Sequence, residues 1–164
     1  MIEDEKSQEK GLGKKYLNFS IGERVYAVPL LKVKEVVSDF EITPVPKVPS
    51  WFRGLINLRG GILSIIDLNT KLNQKETDLS VKETCVVIFE IEEVVIGVLV
   101  DEVIKVSNYF PDQLSSGDVI KSSNSNKFIE SVIKEEDGSL TFLLEVESAL
   151  GIEELQILKE KLAS

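Results

Sequence analysis

Apolar positions alternate from Tyr16 to Ile21, stop at Gly22-Glu23-Arg24 and resume over Val25–Val28. Two short β-prone runs around a glycine turn predict a hairpin. From Leu30 to Val37 the apolar residues fall at 30, 31, 33, 36 and 37, with Lys32, Lys34 and Glu35 between them. That spacing predicts one helical turn leading into a strand. Pro44, Pro46 and Pro49 follow and exclude a central strand or helix there. Leu55 to Leu68 reads as two strands joined around Gly60-Gly61, and residues 73–83 as a polar connecting loop.

The second half repeats this grammar. Thr84–Ile91 is an apolar run broken by Glu92-Glu93, and Val94–Val100 is its return strand. A shift of 70 positions places Phe19 on Phe89, Ile21 on Ile91, Ala27 on Gly97, Val28 on Val98, Val33 on Val103 and Val36 on Val106. A shift of 78 places Ile65 on Leu143, Asp67 on Glu145 and Leu72 on Leu150. Residues 109–127 form a Ser-, Asn- and Gly-rich loop. Phe128–Ile133 and Leu140–Val146 form a last hairpin around Asp137-Gly138. Ordered matches of this kind point to an internal duplication. Units of four or five short strands protect their edges best as small closed barrels. The expected architecture is mainly β: a tail over 1–15, a five-stranded barrel over about 16–74, a second over 84–150, and a terminal helix over 152–162 carrying an apolar stripe.

The chain has 164 residues, 43% of them apolar, enough for a real core. It has no histidine, which removes Ser-His-Asp and Cys-His nucleophiles and His-based zinc sites. Its one cysteine, Cys85, lies in an apolar run and reads as a buried structural thiol. Net charge is -9, which disfavours a nucleic-acid partner. The charge is uneven: zero over residues 1–15, +2 over 16–74 and -11 over 75–164. Either the surface is simply acidic, or two faces differ in electrostatic character. No stretch reaches the roughly 20 apolar residues of a membrane span, and the N-terminus lacks an apolar signal core. The cytoplasm is the expected compartment.

Candidate chemistry is sparse. Asp67 and Asp101 both end apolar runs, where paired carboxylates could do acid–base work, but strand-terminal aspartates commonly hold turns. Gly60-Gly61 lacks phosphate-loop spacing, and no ligand series follows Asp137-Gly138. No cofactor or metal is expected. Arg59 interrupts an apolar hairpin and calls for a carboxylate, for which Glu35 is the candidate.

The stretch Ile42-Thr-Pro-Val-Pro, Pro49, Phe52-Arg-Gly-Leu-Ile-Asn-Leu-Arg-Gly60 and Ile62–Leu68 resembles the CheW-like family of bacterial chemotaxis coupling proteins. Leu31–Val36 and Gly97–Val103 fit the same pattern, so the resemblance covers nearly the whole chain from Tyr16. Ser64 stands where that family commonly has Pro, and Ser131 where it commonly has Gly. The resemblance implies two SH3-like barrels packed together and a non-catalytic adaptor. Its implied partners are the regulatory domain of the chemotaxis histidine kinase and the cytoplasmic tip of chemoreceptors, at arrays on the inner face of the membrane. Carried over by motif, Val33, Glu35, Val36, Gly54, Arg59, Cys85, Val103 and Val106 are expected at or beside partner surfaces. For the valines, core packing is the alternative.

Overall fold

The computed structural model describes residues 13–116 and 127–163. Among them, eleven strands form two sheets. The strands are β1 (Lys14–Ile21), β2 (Arg24–Pro29), β3 (Val33–Val37), β4 (Phe52–Leu58), β5 (Gly61–Asp67), β6 (Cys85–Ile91), β7 (Val94–Val100), β8 (Glu102–Tyr109), β9 (Leu114–Ser116), β10 (Ile129–Lys134) and β11 (Leu140–Leu144). Helices α1 (Leu68–Asn73), α2 (Val146–Leu150) and α3 (Ile152–Ala163) complete the chain. The expected turn before β3 is a 3-10 turn at Leu30–Lys32. Two expectations shift. Lys14 and Lys15 already belong to β1, while residues 1–12 of the expected tail lie outside the described part. The expected loop over 109–127 yields β9, and its residues 117–126 lie outside the described part. Helices α1 and α2 were not legible as helices, because five or six residues are too few to show a 3.6-residue period.

The sheet order is β8-β1-β2-β11-β10-β9 in one sheet (A) and β3-β6-β7-β5-β4 in the other (B). Edge strands β8 and β9 are consecutive in the chain. In a flat sheet their axes would lie about 24 Å apart, at about 4.8 Å per strand. The five Cα steps from Tyr109 to Leu114 reach only about 17 Å. Sheet A must therefore curl, and β8 with β9 acts as one strand bent at Pro111. Each sheet is then a five-stranded, SH3-like barrel.

These barrels are not the two halves of the sequence. The expected division into a barrel over 16–74 and another over 84–150 is corrected by the strand order. Barrel A takes β1-β2 from the first half and β8 to β11 from the second. Barrel B takes β3, β4 and β5 from the first half and β6-β7 from the second. The two halves have exchanged their first hairpins reciprocally. The parallel pairs β2–β11 and β5–β7 are where a hairpin of one half meets the last strand of the other. A sequence repeat reports which elements recur; it does not report which copy they pair with. The uneven charge of the halves consequently does not map onto one barrel each.

The exchange explains the unbroken apolar run at Cys85–Phe89, since both faces of β6 are buried. Val86 and Ile88 join Leu63, Ile65 and Leu99 inside barrel B. Cys85, Val87 and Phe89 join Phe19, Val28, Val98 and Leu144 in a larger cluster between the barrels. Barrel A keeps a small interior of Tyr16, Ala27, Tyr109, Ile133 and Leu143. The repeat-related Ala27 and Gly97 are small because each faces a narrow barrel interior. A Cβ on Gly97 would come within 2.6 Å of Ile65 Cδ1 and 2.8 Å of Val86 Cγ1.

Hairpin turns carry local strain. Glu92 and Glu93 join β6 to β7 with φ of 49° and 71°, left-handed values that suit Asn-Gly rather than glutamate. Replacing the pair by Asn-Gly should raise stability by about 1–2 kcal/mol, read as a higher urea midpoint at unchanged slope. Between β4 and β5 the turn residues are Arg59 and Gly60, with φ of 52° and 83°. Leu58 pairs with Gly61. The expected turn at Gly60-Gly61 is thus displaced by one residue, and Arg59 sits on the turn rather than within a strand.

Candidate functional site: the edge strands of the two barrels

Strands β3 and β8 are repeat-related, and each lies at the edge of its sheet. Directly opposed residues in an antiparallel pair share a face. Val33 opposes Phe89 and Val36 opposes Val87. Val103 opposes Phe19 and Val106 opposes Leu17. All four partners belong to the cluster between the barrels, so all four valines face it. Val33 and Val103 pack against that cluster. Val36 and Val106 stand at its open margin, 41% and 53% exposed. Cys85 at the start of β6 pairs with Val100 at the end of β7, just ahead of β8, and Val103 packs on the same cluster as Cys85. Burial pushes its thiol pKa up, so it stays a protonated packing group. Strands β3 and β8 thus border one apolar cluster from the two barrels, with Cys85 inside it.

Glu35 lies on the other face of β3, opposite Ile88 of the barrel B interior. Arg59 donates from Nη1 to Glu35 Oε1 and from Nη2 to Oε2, both at 2.9 Å. This bidentate pair clips edge strand β3 to the β4–β5 turn and closes the barrel mouth. The ion pair matches expectation. It lies near the surface: the Arg59 side chain is 72% exposed, because the residue occupies a turn, and the Glu35 side chain is 26% exposed. The hydrogen bond from Arg59 lowers the Glu35 pKa. A depressed carboxylate pKa contributes stability above the ordinary glutamate range and loses it as pH falls through the folded-state value. Beside the pair is a cavity of about 260 Å³ over Leu58, Ile62, Leu63, Ile88 and Val95.

Two of the residues expected at or beside partner surfaces are internal, Cys85 in keeping with its reading as a buried thiol. Cys85 is 4% exposed. Gly54 is buried and pressed against the Pro-rich segment: a Cβ there would collide with the Thr43 carbonyl oxygen, at φ 142°. Thr43 and Leu55 exchange backbone hydrogen bonds of 2.8 and 2.9 Å, which seals the outer edge of β4. Gly54→Ala should therefore act on the fold, costing about 2–4 kcal/mol by chemical denaturation. Either residue reaches a partner only through what it holds in place. Conversely, Leu31 is fully exposed and Ile104 is 44% exposed near the groove strands. Leu31 falls in the expected helical turn and Ile104 in a stretch with no predicted element, so no sequence signal marks either as exposed.

The two carboxylates weighed for acid–base work are engaged elsewhere. Asp101 Oδ2 accepts from the Gly22 N–H at 2.7 Å. Asp67 is fully buried and accepts from Arg53, Asn69 and Thr77.

Against known families, residues 15–154 match the CheW-like domain. The chain belongs to the CheW-like family. Among its relatives is the chemotaxis protein CheW of Rhizobium meliloti, 28% identical over 142 residues, which is 87% of this chain and 90% of the relative. The chemotaxis protein CheW of Thermotoga maritima is 30% identical over 141 residues, 86% and 89% of the two chains. The crystal structure of the scaffolding protein TtCheW from Thermoanaerobacter tengcongensis superposes with a TM-score of 0.71 at 29% identity, covering 81% of this chain and 89% of that one. The CheW-like assignment carries a coarse function, that of a scaffold protein in chemotaxis signalling. Among the described residues no helix is long and apolar enough to cross a membrane.

Proposed function

We propose that this CheW-like protein is a non-catalytic adaptor that couples chemoreceptors to the chemotaxis histidine kinase, in the cytoplasm at receptor arrays on the inner face of the membrane. The observation that carries the reading is the apolar cluster shared by the two barrels, whose open margin we read as a groove. Val33 and Val36 come from one barrel and Val103 and Val106 from the other, and all four border a continuous apolar cluster. An amphipathic helix lays its apolar stripe into a groove of this kind, and a receptor tip is a helical coiled coil. The Glu35–Arg59 rim, on the opposite face of β3, is left for the kinase regulatory domain. The adaptor then needs no cofactor. Each contact is modest, and arrays gain strength from many such contacts together.

The test is binding of the purified protein to a receptor-tip fragment and to the kinase regulatory domain, separately and together. Simultaneous capture of both is the expected result. Arg59→Ala should weaken the kinase arm while leaving the receptor arm and the far-UV spectrum unchanged. Competition between the two partners for one surface would refute the division.

A further inference from the structure

The reciprocal exchange of hairpins has a consequence for a second copy of this chain. Four strand ladders join the two halves: β1–β8, β2–β11, β3–β6 and β5–β7. Neither barrel is complete with one half. Yet every one of these ladders pairs a strand before residue 74 with one after residue 84, so a half from another molecule offers identical partners. We infer that two molecules can trade halves and form an exchanged dimer in which each barrel pair is built from both chains, hinged at residues 78–83.

The hinge is defined by what anchors its ends. Before it, Thr77 is held by its N–H and its Oγ1 on the Asp67 carboxylate, at 2.8 and 2.7 Å, and Arg53 donates to the Thr77 carbonyl at 3.1 Å. After it, β6 starts at Cys85. Between these points the chain closes on itself with short-range bonds: Ser80 N–H to Asp78 Oδ1 at 2.9 Å, Thr84 Oγ1 to the Asp78 carbonyl at 2.9 Å, and Thr84 N–H to the Val81 carbonyl at 3.2 Å. Among the described residues these, with Ser80 Oγ to Asp78 Oδ1 at 2.6 Å, are the hydrogen bonds an opened hinge disturbs, and water replaces them at little net cost.

The hinge also carries apolar side chains that the closed turn leaves uncovered, Leu79 at 46% and Val81 at 45% exposure. In a dimer with twofold symmetry the two opened hinges run past each other near the axis. Leu79 and Val81 of one copy then meet those of the other, a burial the monomer cannot achieve. The occupant of this small apolar patch is thus the same segment of a second copy. An exchanged dimer would hold two complete grooves on one particle and double its valency toward an array.

The test uses full-length copies in which Cys85 is replaced by Ala. One copy carries Val37→Cys and the other Val86→Cys, residues paired across β3 and β6 in barrel B. A single copy carrying both cysteines calibrates the geometry by closing an intrachain disulfide. The two single-cysteine copies are unfolded together, refolded over a range of concentrations and run without reductant. The expected result is a mixed disulfide-linked dimer whose share rises with concentration and falls several-fold when Leu79→Ser and Val81→Ser are added to both copies. Native monomers with no mixed disulfide at the highest concentration would overturn the inference. So would a dimer that stays unlinked, since that would be a side-by-side association. If the barrel B pair impairs folding, Val25→Cys with Thr141→Cys reports on barrel A across β2 and β11.

Discussion

Replacing Asp67 by alanine will cost the protein about 3–5 kcal/mol, the range for breaking a buried, hydrogen-bonded ion pair. Asp67 is completely buried at the end of β5. Its Oδ2 accepts from Arg53 Nη1 at 2.6 Å and from the Thr77 N–H at 2.8 Å, while Oδ1 accepts from the Asn69 N–H at 3.1 Å and Thr77 Oγ1 at 2.7 Å. The carboxylate caps α1, anchors the loop after it and neutralises Arg53. Without it, a guanidinium and three buried donors lose their acceptor at once. Domains of this size have about 5–15 kcal/mol of stability in total, so the loss should appear as a collapse of the urea midpoint. Thr77→Ala removes one of the four hydrogen bonds and should cost about 1–2 kcal/mol, since bonds to charged groups are worth somewhat more than neutral ones. Equal losses in the two variants would mean that Asp67 acts only through the Thr77 hydroxyl and that its Arg53 pair and helix cap add nothing.

Introducing a carboxylate at the margin of the shared cluster should weaken helix binding strongly without unfolding the protein. Val36→Glu and Val106→Glu change side chains that are 41% and 53% exposed, so the free protein keeps the new charge hydrated. A docked helix must strip that water from a charge with no partner. An anchor position of this kind costs about 2 kcal/mol or more, roughly a 30-fold weaker Kd for a receptor-tip fragment by calorimetry. The thermal midpoint should stay close to that of the parent. Because Val36 lies on barrel B and Val106 on barrel A, losses at both positions would require a ligand that touches both barrels. A loss at Val36 alone would confine the contact to barrel B. The Glu35–Arg59 clip, on the far side of β3, predicts the reverse pattern for Arg59→Ala.

Much of this was written locally. Alternation around Gly22, Glu92 and Asp137 marked the hairpins, and the 70- and 78-residue shifts marked the duplication. Glu35 and Arg59 were matched because each interrupts an apolar run. The four valines came from the CheW-like resemblance, at positions the repeat relates in pairs. Periodicity succeeds here because a strand face must be buried as a unit, whatever buries it. It is silent on the partner, because apolar burial is non-directional. Only the tertiary structure decided that β1-β2 completes a barrel with β8 and β11 rather than with β3 to β5. That choice put the largest apolar cluster between the barrels, turned Val36 and Val106 toward its rim and left Glu35 at a barrel mouth. Asp67 and Gly54 were decided there too. One needed four donors converging from Arg53, Asn69 and Thr77; the other needed the Thr43 carbonyl pressed against its Cα. Directional bonds and close backbone approaches exist only once distant segments meet, and no run of neighbouring residues records them.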